Sequence, residues 1–274
     1  MSRKTVRCIA AVAFIAAGFI GQAQADQLAD IKARGTLVCG VLSTLDPFGY
    51  LDPQSRELVG YDVDFCKGVA KQLGVKPELR QLSLDARIPE LSQGRVDILA
   101  AVLGYNPARA GQIDFSDAYF LSLQKLAVQK DSGYETPADL DGKRISSIKG
   151  SSTQTFVKNT IPGAKIVGYD DAPSAFMALT QRKVEGFGLT EAMLRRFIVK
   201  LGPDSTLKVL DSPLGQEQWG LGLKKGEPQL VAAVNTALAN LETSGEAQAI
   251  FDKWLGKDSE YHMQRTFKVE PIRP

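Results

Sequence analysis

Short apolar runs alternate with amphipathic segments along most of the chain. The apolar run at residues 96–102 is bounded by turn residues, a pattern typical of a buried strand. Strands are predicted over residues 37–42, 76–82, 96–102, 124–129, 142–148, 165–168, 184–188 and 219–223. Helices are predicted over residues 28–34, 62–72, 87–93, 136–140, 151–159, 172–181, 191–200, 227–244 and 246–255, with Asp62 as an N-cap. This alternation with short connections indicates an α/β protein with mostly parallel sheets.

The predicted elements fall into two α/β units. The segments at residues 124–129 and 219–223 bracket the second unit, as two crossings between lobes would do. Such an arrangement allows hinge closure. We expect lobe 1 to comprise residues 26–125 and 221–274, and lobe 2 to comprise residues 126–220.

Residues 1–25 have the features of a secretory signal peptide. A basic start is followed by an apolar stretch at residues 9–20, and Ala23 and Ala25 form an A-x-A cleavage site. No later stretch approaches the roughly 18–20 apolar residues needed to cross a bilayer. We therefore expect cleavage after Ala25 and a soluble, periplasmic mature protein.

Removal of this segment changes the charge balance. The Lys and Arg count falls from 33 to 30, Asp and Glu stay at 31, and the formal net charge moves from +2 to −1. No basic excess then remains to favour nucleic acid or anionic lipid as a partner. The remaining chain is long for one core and comfortable for two lobes.

Two cysteines, Cys39 and Cys66, remain in the mature chain, which we expect in an oxidising compartment. Cys39 lies on an apolar run, and Cys66 shares a helical stripe with later apolar residues. Either a disulfide bond or two buried thiols fits this pattern, because the separation and direction of the side chains decide between them. Two cysteines and a lone His262 near the C-terminus do not predict a metal site.

A candidate anion-binding corner follows the strand at residues 96–102. Asn106 and Pro107 predict a helix start, with Asn as the N-cap and Pro as the first helical residue. Free backbone N–H groups at a helix start attract anions, and the guanidinium of Arg109 can bind a carboxylate with two hydrogen bonds. The alternative is a surface ion pair of Arg109 with Asp114 or Asp117.

A second candidate corner lies in the other unit. Residues 151–154 have the spacing of a capping box and open a predicted helix after the strand that ends near Gly150. This helix start is a second place where backbone N–H groups and hydroxyl groups could receive an anion.

Several short motifs follow one another in an order that resembles one protein family. They are Pro47-Phe48, Gly60-Tyr61-Asp62-Val63-Asp64, Arg87-Ile88-Pro89-Glu90-Leu91, Gly94-Arg95-Val96-Asp97, Arg109, Asp114-Phe115-Ser116, Asp139-Leu140-Asp141-Gly142-Lys143, Gly150-Ser151-Ser152-Thr153 and Ile250-Phe251-Asp252-Lys253-Trp254-Leu255-Gly256. The ordered set, from about residue 37 to 256, resembles the polar-amino-acid group (family 3) of periplasmic solute-binding proteins of ABC transporters. The resemblance implies a two-lobed periplasmic-binding-protein fold of class II type, with two hinge crossings and no cofactor. It also implies a monomer, a small carboxylate ligand of the amino-acid class, and the membrane subunits of an ABC permease as partner.

The resemblance also assigns ligand contacts. It implies that Arg109 holds the α-carboxylate of the ligand, with help from backbone N–H groups of the segment that contains Val102 and Gly104. Asn106, at the start of the same helix, completes the candidate set in lobe 1. From lobe 2, the resemblance implies hydroxyl and N–H contacts from Ser151, Ser152 and Thr153.

The sequence departs from the family pattern where the ligand's ammonium group is bound. The resemblance places an Asp at the position of Thr190, and threonine supplies no charge. Either Glu191 reaches into the cleft, or the ligand amine is bound differently or is absent. Glu191 fits equally well as a surface acid at a helix N-terminus, where the helix dipole favours it.

Other departures make the expected pocket more aliphatic. The usual aromatic positions correspond to Leu45 and Leu84, and a frequently polar position corresponds to Leu42. Phe48 either supplies a ring to the pocket or braces its loop. Arg87 corresponds to an arginine that meets a side-chain carboxylate in relatives that bind acidic amino acids. Here it either faces the cleft or forms a local ion pair with Asp85 or Glu90.

Three functions follow as hypotheses. The first is the substrate-binding component of an ABC importer without chemistry of its own. The second is a periplasmic cyclohexadienyl dehydratase, with Glu191 as its general acid. The third is a ligand-sensing protein for a separate receptor. The sequence contains no Ser/His or Cys/His pairing for nucleophilic catalysis, and no dinucleotide-binding or P-loop fingerprint.

Overall fold

A computed structural model describes residues 26–273. The predicted signal peptide, residues 1–25, lies outside this range. Within it, the strands are β1 Thr36–Val41, β2 Thr44–Leu45, β3 Gly49–Leu51, β4 Leu58–Val59, β5 Lys76–Gln81, β6 Ile98–Leu99, β7 Ile113–Gln129, β8 Arg144–Ile148, β9 Lys165–Tyr169, β10 Gly186–Thr190, β11 Leu207–Val209 and β12 Gly215–Lys224. The α-helices are α1 Gln27–Arg34, α2 Tyr61–Leu73, α3 Arg87–Ser92, α4 Pro107–Ala110, α5 Thr153–Thr160, α6 Ala172–Thr180, α7 Glu191–Lys200, α8 Pro228–Thr243 and α9 Glu246–Trp254. Lys130–Ser132 and Pro137–Leu140 form short 3-10 helices.

Two long antiparallel strands, β7 and β12, join the two halves of the molecule. The main sheet has the order β5-β1-β6-β12-β7-β10-β8-β9, and β11 also pairs with β7. We call the part with β1, β5 and β6 lobe 1, and the part with β8, β9, β10 and β11 lobe 2. β1, β5 and β6 are parallel to one another, as are β8, β9 and β10. The two-lobed α/β fold predicted from the sequence is confirmed.

The change from one lobe to the other occurs within β7. Its first part pairs with β12, from Ile113 opposite Lys224 to Gln124 opposite Gly215. Gln124 also lies opposite Thr190 of β10, and from there β7 continues into lobe 2. The sequence predicted only the last part of this strand, at residues 124–129. The earlier part was missed because polar residues such as Asp114, Ser116 and Asp117 break the apolar pattern.

The predicted strand at residues 96–102 is much shorter in the structure. Only Ile98 and Leu99 belong to β6, and they pair with β1 and β12. Val102 adopts a φ of 46°, a left-handed conformation that a β-branched residue rarely takes. The chain therefore turns out of the sheet at the point where it reaches the cleft.

Two predicted helix caps are wrong. α2 has Gly60 as its N-cap, with a φ of 140° that only glycine takes readily, and a side chain there would collide with the carbonyl of Phe48. Asp62 is instead fully buried within the helix. α5 begins at Thr153, and its N-cap Ser152 makes no side-chain capping bond, because that hydroxyl group points into the cleft.

The C-terminal segment after α9 packs along the back of the molecule. Glu270 forms a bridge with Ala118 of β7, and the backbone N–H of Arg273 donates to the side chain of Gln218 on β12. Arg265 forms an ion pair with Glu242 at 2.6 Å. The segment therefore packs against both long strands and against α8.

Cys39 and Cys66 form a disulfide bond between β1 and α2. Their Cα atoms are 6.4 Å apart, and 27 residues separate them in sequence. Both side chains are fully buried. The bond fixes α2 against the sheet of lobe 1.

We expect replacement of both cysteines by alanine to lower the free energy of unfolding by about 3 kcal/mol, because the unfolded chain loses a closed loop. Urea unfolding followed by circular dichroism measures this change. Wild-type protein reduced with dithiothreitol should approach the midpoint of the double variant. Equal midpoints for the double variant and the oxidised wild-type protein would contradict the expectation.

Candidate ligand-binding site

A cavity lies between the two lobes, with an empty volume of about 310 Å³, part of it open to solvent. Both lobes and both long strands contribute to its wall. The lining residues are Leu45, Leu84, Val102, Gln124, Ile148, Ser151, Ser152, Thr153, Leu189, Thr190, Met193, Glu217 and Trp219. Seven of these residues were expected from the sequence, namely Leu45, Leu84, Val102, Ser151, Ser152, Thr153 and Thr190.

Arg87 is buried under the cavity and binds only carbonyl groups. It is 2% exposed and donates to the carbonyls of Leu84, Ala101 and Val102 in lobe 1, at 2.7 to 3.0 Å. A fourth bond, of 2.9 Å, reaches the carbonyl of Gly150 in lobe 2. The expected local ion pair of Arg87 with Asp85 or Glu90 is therefore wrong: Glu90 pairs with Arg95, and Asp85 accepts from Ser83.

Arg109 reaches the same carbonyl of Gly150 from its own side of the cleft. Its guanidinium donates to Gly104 at 2.8 Å and to Gly150 at 3.0 Å. Asn106 caps α4 by accepting from the backbone N–H of Arg109 at 2.9 Å, so its carbonyl oxygen is engaged in the cap. The alternative ion pair with Asp114 is not formed, because Asp114 pairs with Lys225.

Both backbone polar groups of Val102 are held by buried side chains. Its backbone N–H donates to Asp62 at 2.7 Å, and its carbonyl accepts from Arg87 at 3.0 Å. Asp62 also accepts a hydrogen bond of 2.8 Å from the hydroxyl group of Tyr119. The expected N–H contact from Val102 to a ligand carboxylate is therefore wrong for this structure, because the buried Asp62 already accepts from that group.

Glu217 was not predicted, and it lies in the wall of the cavity. It is 7% exposed, and its Oε1 accepts hydrogen bonds from Ser152, Gln124 and Trp219 at 2.7, 3.0 and 2.8 Å. Its Oε2 has no hydrogen-bond partner among the described residues. Burial raises the pKa of Glu217, while Ser152, Trp219 and the charges of Arg109 and Arg87 lower it.

The polar side chains around Glu217 form one network across the cleft. Thr153 of lobe 2 donates to the amide oxygen of Gln124 at 2.7 Å, and the amide nitrogen of Gln124 donates to Ser122 and Glu217. Ser122 in turn donates to the hydroxyl of Thr190 at 2.9 Å. Ser151 bonds to the carbonyl of Ile148 at 2.7 Å. Most of the hydroxyl groups around the cavity are thus hydrogen-bonded to other groups of the protein.

Glu191 does not line the cavity. It follows Thr190 at the start of α7, but its carboxylate pairs with Lys125 at 3.2 Å and with Arg195 at 2.5 Å. The side chain instead lines a groove between α7 and β11 of lobe 2 and residues 260–263 of the C-terminal segment. The expectation that Glu191 reaches into the cleft, either for a ligand amine or as a general acid, is therefore wrong.

The predicted apolar positions separate into two groups. Leu45 and Leu84 line the cavity, whereas Leu42 is buried and faces a separate surface groove. Phe48 is fully buried, and its ring packs edge-on against Phe120 and Trp219 at centroid distances of 4.9 and 4.8 Å. Phe48 therefore braces the aromatic core behind the pocket and leaves Trp219 as the aromatic ring in the wall.

Sequence signals for the missed residues were weak. The apolar pattern begins at Trp219, so the strand predicted at residues 219–223 did not include Glu217, although β12 starts at Gly215. Gln124 was recognised only as the start of a strand.

Among residues 26–273, no group of three or more His, Cys, Asp or Glu side chains could hold a metal ion, and no helix is both long and apolar enough to cross a membrane.

The fold and the cavity define a two-lobed α/β binding protein with its candidate site between the lobes. The family model of bacterial extracellular solute-binding proteins, family 3, matches residues 37–257. The chain belongs to this family.

Individual relatives support the same assignment. The L-cystine-binding protein TcyJ of Escherichia coli (strain K12) is 29% identical over 262 residues, which cover 94% of this chain and 97% of TcyJ. A crystal structure of a mutant of ArgBP from T. maritima has a TM-score of 0.77 and 30% identity, and the match covers 83% of this chain and 98% of that chain. The ancestral amino-acid-binding protein AncCDT-1, a precursor of cyclohexadienyl dehydratase, has a TM-score of 0.76 and 28% identity, with coverage of 84% and 99%.

The buried Asp62 makes stability depend on pH. Burial raises its pKa to about 7, although Tyr119, Val102 and Arg87 lower it. The folded protein therefore holds this proton more tightly than the unfolded chain, whose Asp has a pKa near 3.8. The stabilisation that protonated Asp62 gives the folded state is full below about pH 4. It is lost as the pH rises through about 7, where the folded protein also releases this proton.

We expect Asp62→Asn to make the decrease of the free energy of unfolding between pH 5 and pH 8 shallower, by at most about 1.4 kcal/mol per pH unit. Urea unfolding at a series of pH values measures the slopes. Asp64→Asn, two residues along the same helix, is the matched control and should keep the wild-type slope. If wild-type protein and Asp62→Asn have the same slope, the buried Asp62 does not titrate in this range.

Proposed function

We propose that this protein is the substrate-binding component of an ABC importer, which captures an amino acid or a similar small carboxylate between its lobes and delivers it to the permease. The observation that carries the proposal is the cavity itself, which both lobes line. Two arginines outside its lining, Arg87 and Arg109, each donate to the carbonyl of Gly150 in the opposite lobe. Relatives that bind L-cystine or arginine support an amino acid as the ligand.

Arg109 is the proposed partner of the ligand carboxylate. Its guanidinium now donates to two uncharged carbonyl groups, of Gly104 and Gly150. A carboxylate accepts stronger, charge-assisted hydrogen bonds and can take two from one guanidinium. Burial lowers the pKa of Arg109, and the charge of Glu217 raises it. An anionic ligand would stabilise this partly buried cation in the same way.

Closure between the lobes is the proposed mechanism of capture. The strands β7 and β12 are the two connections within the sheet, and bending there would open the cleft between Gly150 and the two arginines. A ligand that contacts both lobes shifts the population toward the closed form.

We further propose that the protein is exported with cleavage after Ala25 and acts as a monomer in the periplasm. Its proposed partner is a permease that binds the closed form. A receptor as partner is the alternative, and neighbouring genes for a permease and an ATPase or for a sensor kinase would discriminate between them.

A dehydratase activity is the second candidate, and one observation favours it. Glu217 is a buried carboxyl group in the cavity wall, and burial raises its pKa, as a general acid requires. AncCDT-1, a structural neighbour, is a precursor of an enzyme of this type. Incubation of the purified protein with prephenate tests the candidate, and a lack of turnover would remove it.

We expect Arg109→Ala to weaken binding of the ligand at least tenfold, because a buried charge-assisted pair is lost. The wild-type mature chain is first unfolded and refolded to remove bound ligand. It is then screened by thermal shift against the standard amino acids, L-cystine and small dicarboxylates. Isothermal titration calorimetry measures the affinity for the ligand that stabilises it most.

Arg95→Ala is the matched control for this experiment. Arg95 is an exposed arginine of the same lobe, which pairs with Glu90 away from the cavity. This variant should bind like the wild-type protein. Unchanged affinity in Arg109→Ala would refute the assignment of the carboxylate site, and a lack of any thermal shift in the wild-type protein would count against the proposed function.

A further inference from the structure

We infer that Glu217 binds the ammonium group of the ligand and thereby makes the cavity selective for amino acids over carboxylic acids without an amine. This inference rests on the proposed function and assigns the recognition of the amine to a residue on β12.

The two carboxylate oxygens of Glu217 have very different surroundings. Oε1 accepts from Ser152, Gln124 and Trp219, whereas Oε2 accepts nothing among residues 26–273, although it is shielded from bulk solvent. A buried carboxylate oxygen without a donor costs free energy, because it has lost its hydration. A donor supplied by the ligand would remove that cost. An ammonium group supplies both the hydrogen bond and the opposite charge.

The local backbone leaves room for this carboxylate. A side chain on Gly104 would collide with both carboxylate oxygens and the carboxyl carbon of Glu217. Gly104 is also the residue whose carbonyl accepts from Arg109. The glycine therefore lets the carboxylate of Glu217 pack against the same residue whose carbonyl binds Arg109, so that a group of each sign lies near the cleft.

The other candidate acids are already excluded by their contacts. Thr190 carries no charge, and Glu191 pairs with Lys125 and Arg195 outside the cavity. Glu217 is the single acidic side chain in the cavity wall within the described part of the chain. Burial raises the pKa of Glu217, whereas the hydrogen bonds from Ser152 and Trp219 and the nearby arginine charges lower it. An ammonium group beside Oε2 would add a further positive charge that favours the carboxylate form.

Glu217 also connects recognition of the amine to closure. Ser152 belongs to lobe 2, and its hydroxyl donates to Oε1 of Glu217 at 2.7 Å. Gln124, which also donates to Oε1, is itself held by Thr153 at the start of α5. Lobe 2 therefore helps to orient this carboxylate of β12 in the closed cleft, so an ammonium group bound to Oε2 would favour the closed form.

The test compares each amino acid with the same molecule without its amine. The probes are L-methionine with 4-(methylthio)butanoic acid and L-glutamine with 4-carbamoylbutanoic acid, chosen for their uncharged side chains because Leu45, Leu84 and Met193 line the cavity. If the thermal-shift screen selects another amino acid, its desamino analogue is added. Calorimetry gives the ratio of the two dissociation constants for the mature wild-type chain and for Glu217→Gln.

We expect the wild-type chain to bind the amino acid at least tenfold more tightly than its desamino analogue, and Glu217→Gln to reduce that ratio about tenfold or more. Glutamine keeps the size of the side chain, and a ratio measured within one variant does not depend on a general loss of stability. Glu191→Gln is the matched control and should keep the wild-type ratio. Thermal unfolding of each variant confirms that it is folded.

The outcomes separate the inference from the proposed function. An amino acid that binds with the same ratio in the wild-type chain and in Glu217→Gln overturns the inference and leaves the proposed function in place. Equal binding of the amino acid and its desamino analogue by the wild-type chain also overturns it. If neither the amino acids nor their analogues bind, the proposed function fails, and the inference fails with it.

Discussion

The buried guanidinium of Arg87 is the constraint on which the cleft depends. It donates to four carbonyl groups from three segments of the chain, and one of these, Gly150, belongs to the other lobe. A buried cation must have all its donors satisfied, so these carbonyls are held close to one point. Asp62 completes the arrangement by accepting from the N–H of Val102. Together they maintain the left-handed conformation of Val102, at the position where the chain leaves β6 and enters the cavity wall.

This arrangement also explains the charge pattern around the cavity. Arg87 and Arg109 both contribute positive charge, and Glu217 and Asp62 lie close enough to oppose it. Arg87 donates its hydrogen bonds to four carbonyl groups and so belongs to the scaffold of the cleft. The free hydrogen-bonding capacity is concentrated on Glu217, while the hydroxyl and amide groups around it are already engaged with one another. A zwitterion matches this balance better than a dicarboxylate does.

The sequence predicted the order of the elements well, because the spacing of apolar residues within each strand or helix of ordinary length indicates its type. It also predicted the start of α4 correctly, since the cap by Asn106 lies within four residues. Predictions failed where the answer depended on contacts between distant segments. The direction of Glu217 depends on the register of β12 against β7 and on the irregularity next to Trp219. The partners of Asp62 and Arg87 lie at Val102 and Gly150, which no local pattern around either residue indicates.

The strand order also determines when each lobe can be completed as the chain is made. The paired strands of lobe 2 all lie between residues 124 and 209, so this lobe can form from one continuous segment. Lobe 1 needs β12 beside β6, and α8 against α2, before its core is closed. The apolar faces of residues 26–125 therefore stay partly uncovered until the last quarter of the chain is available to pack on them. The N-terminal half of this molecule is thus the part most exposed to aggregation during biogenesis, although it becomes part of the lobe with the disulfide bond.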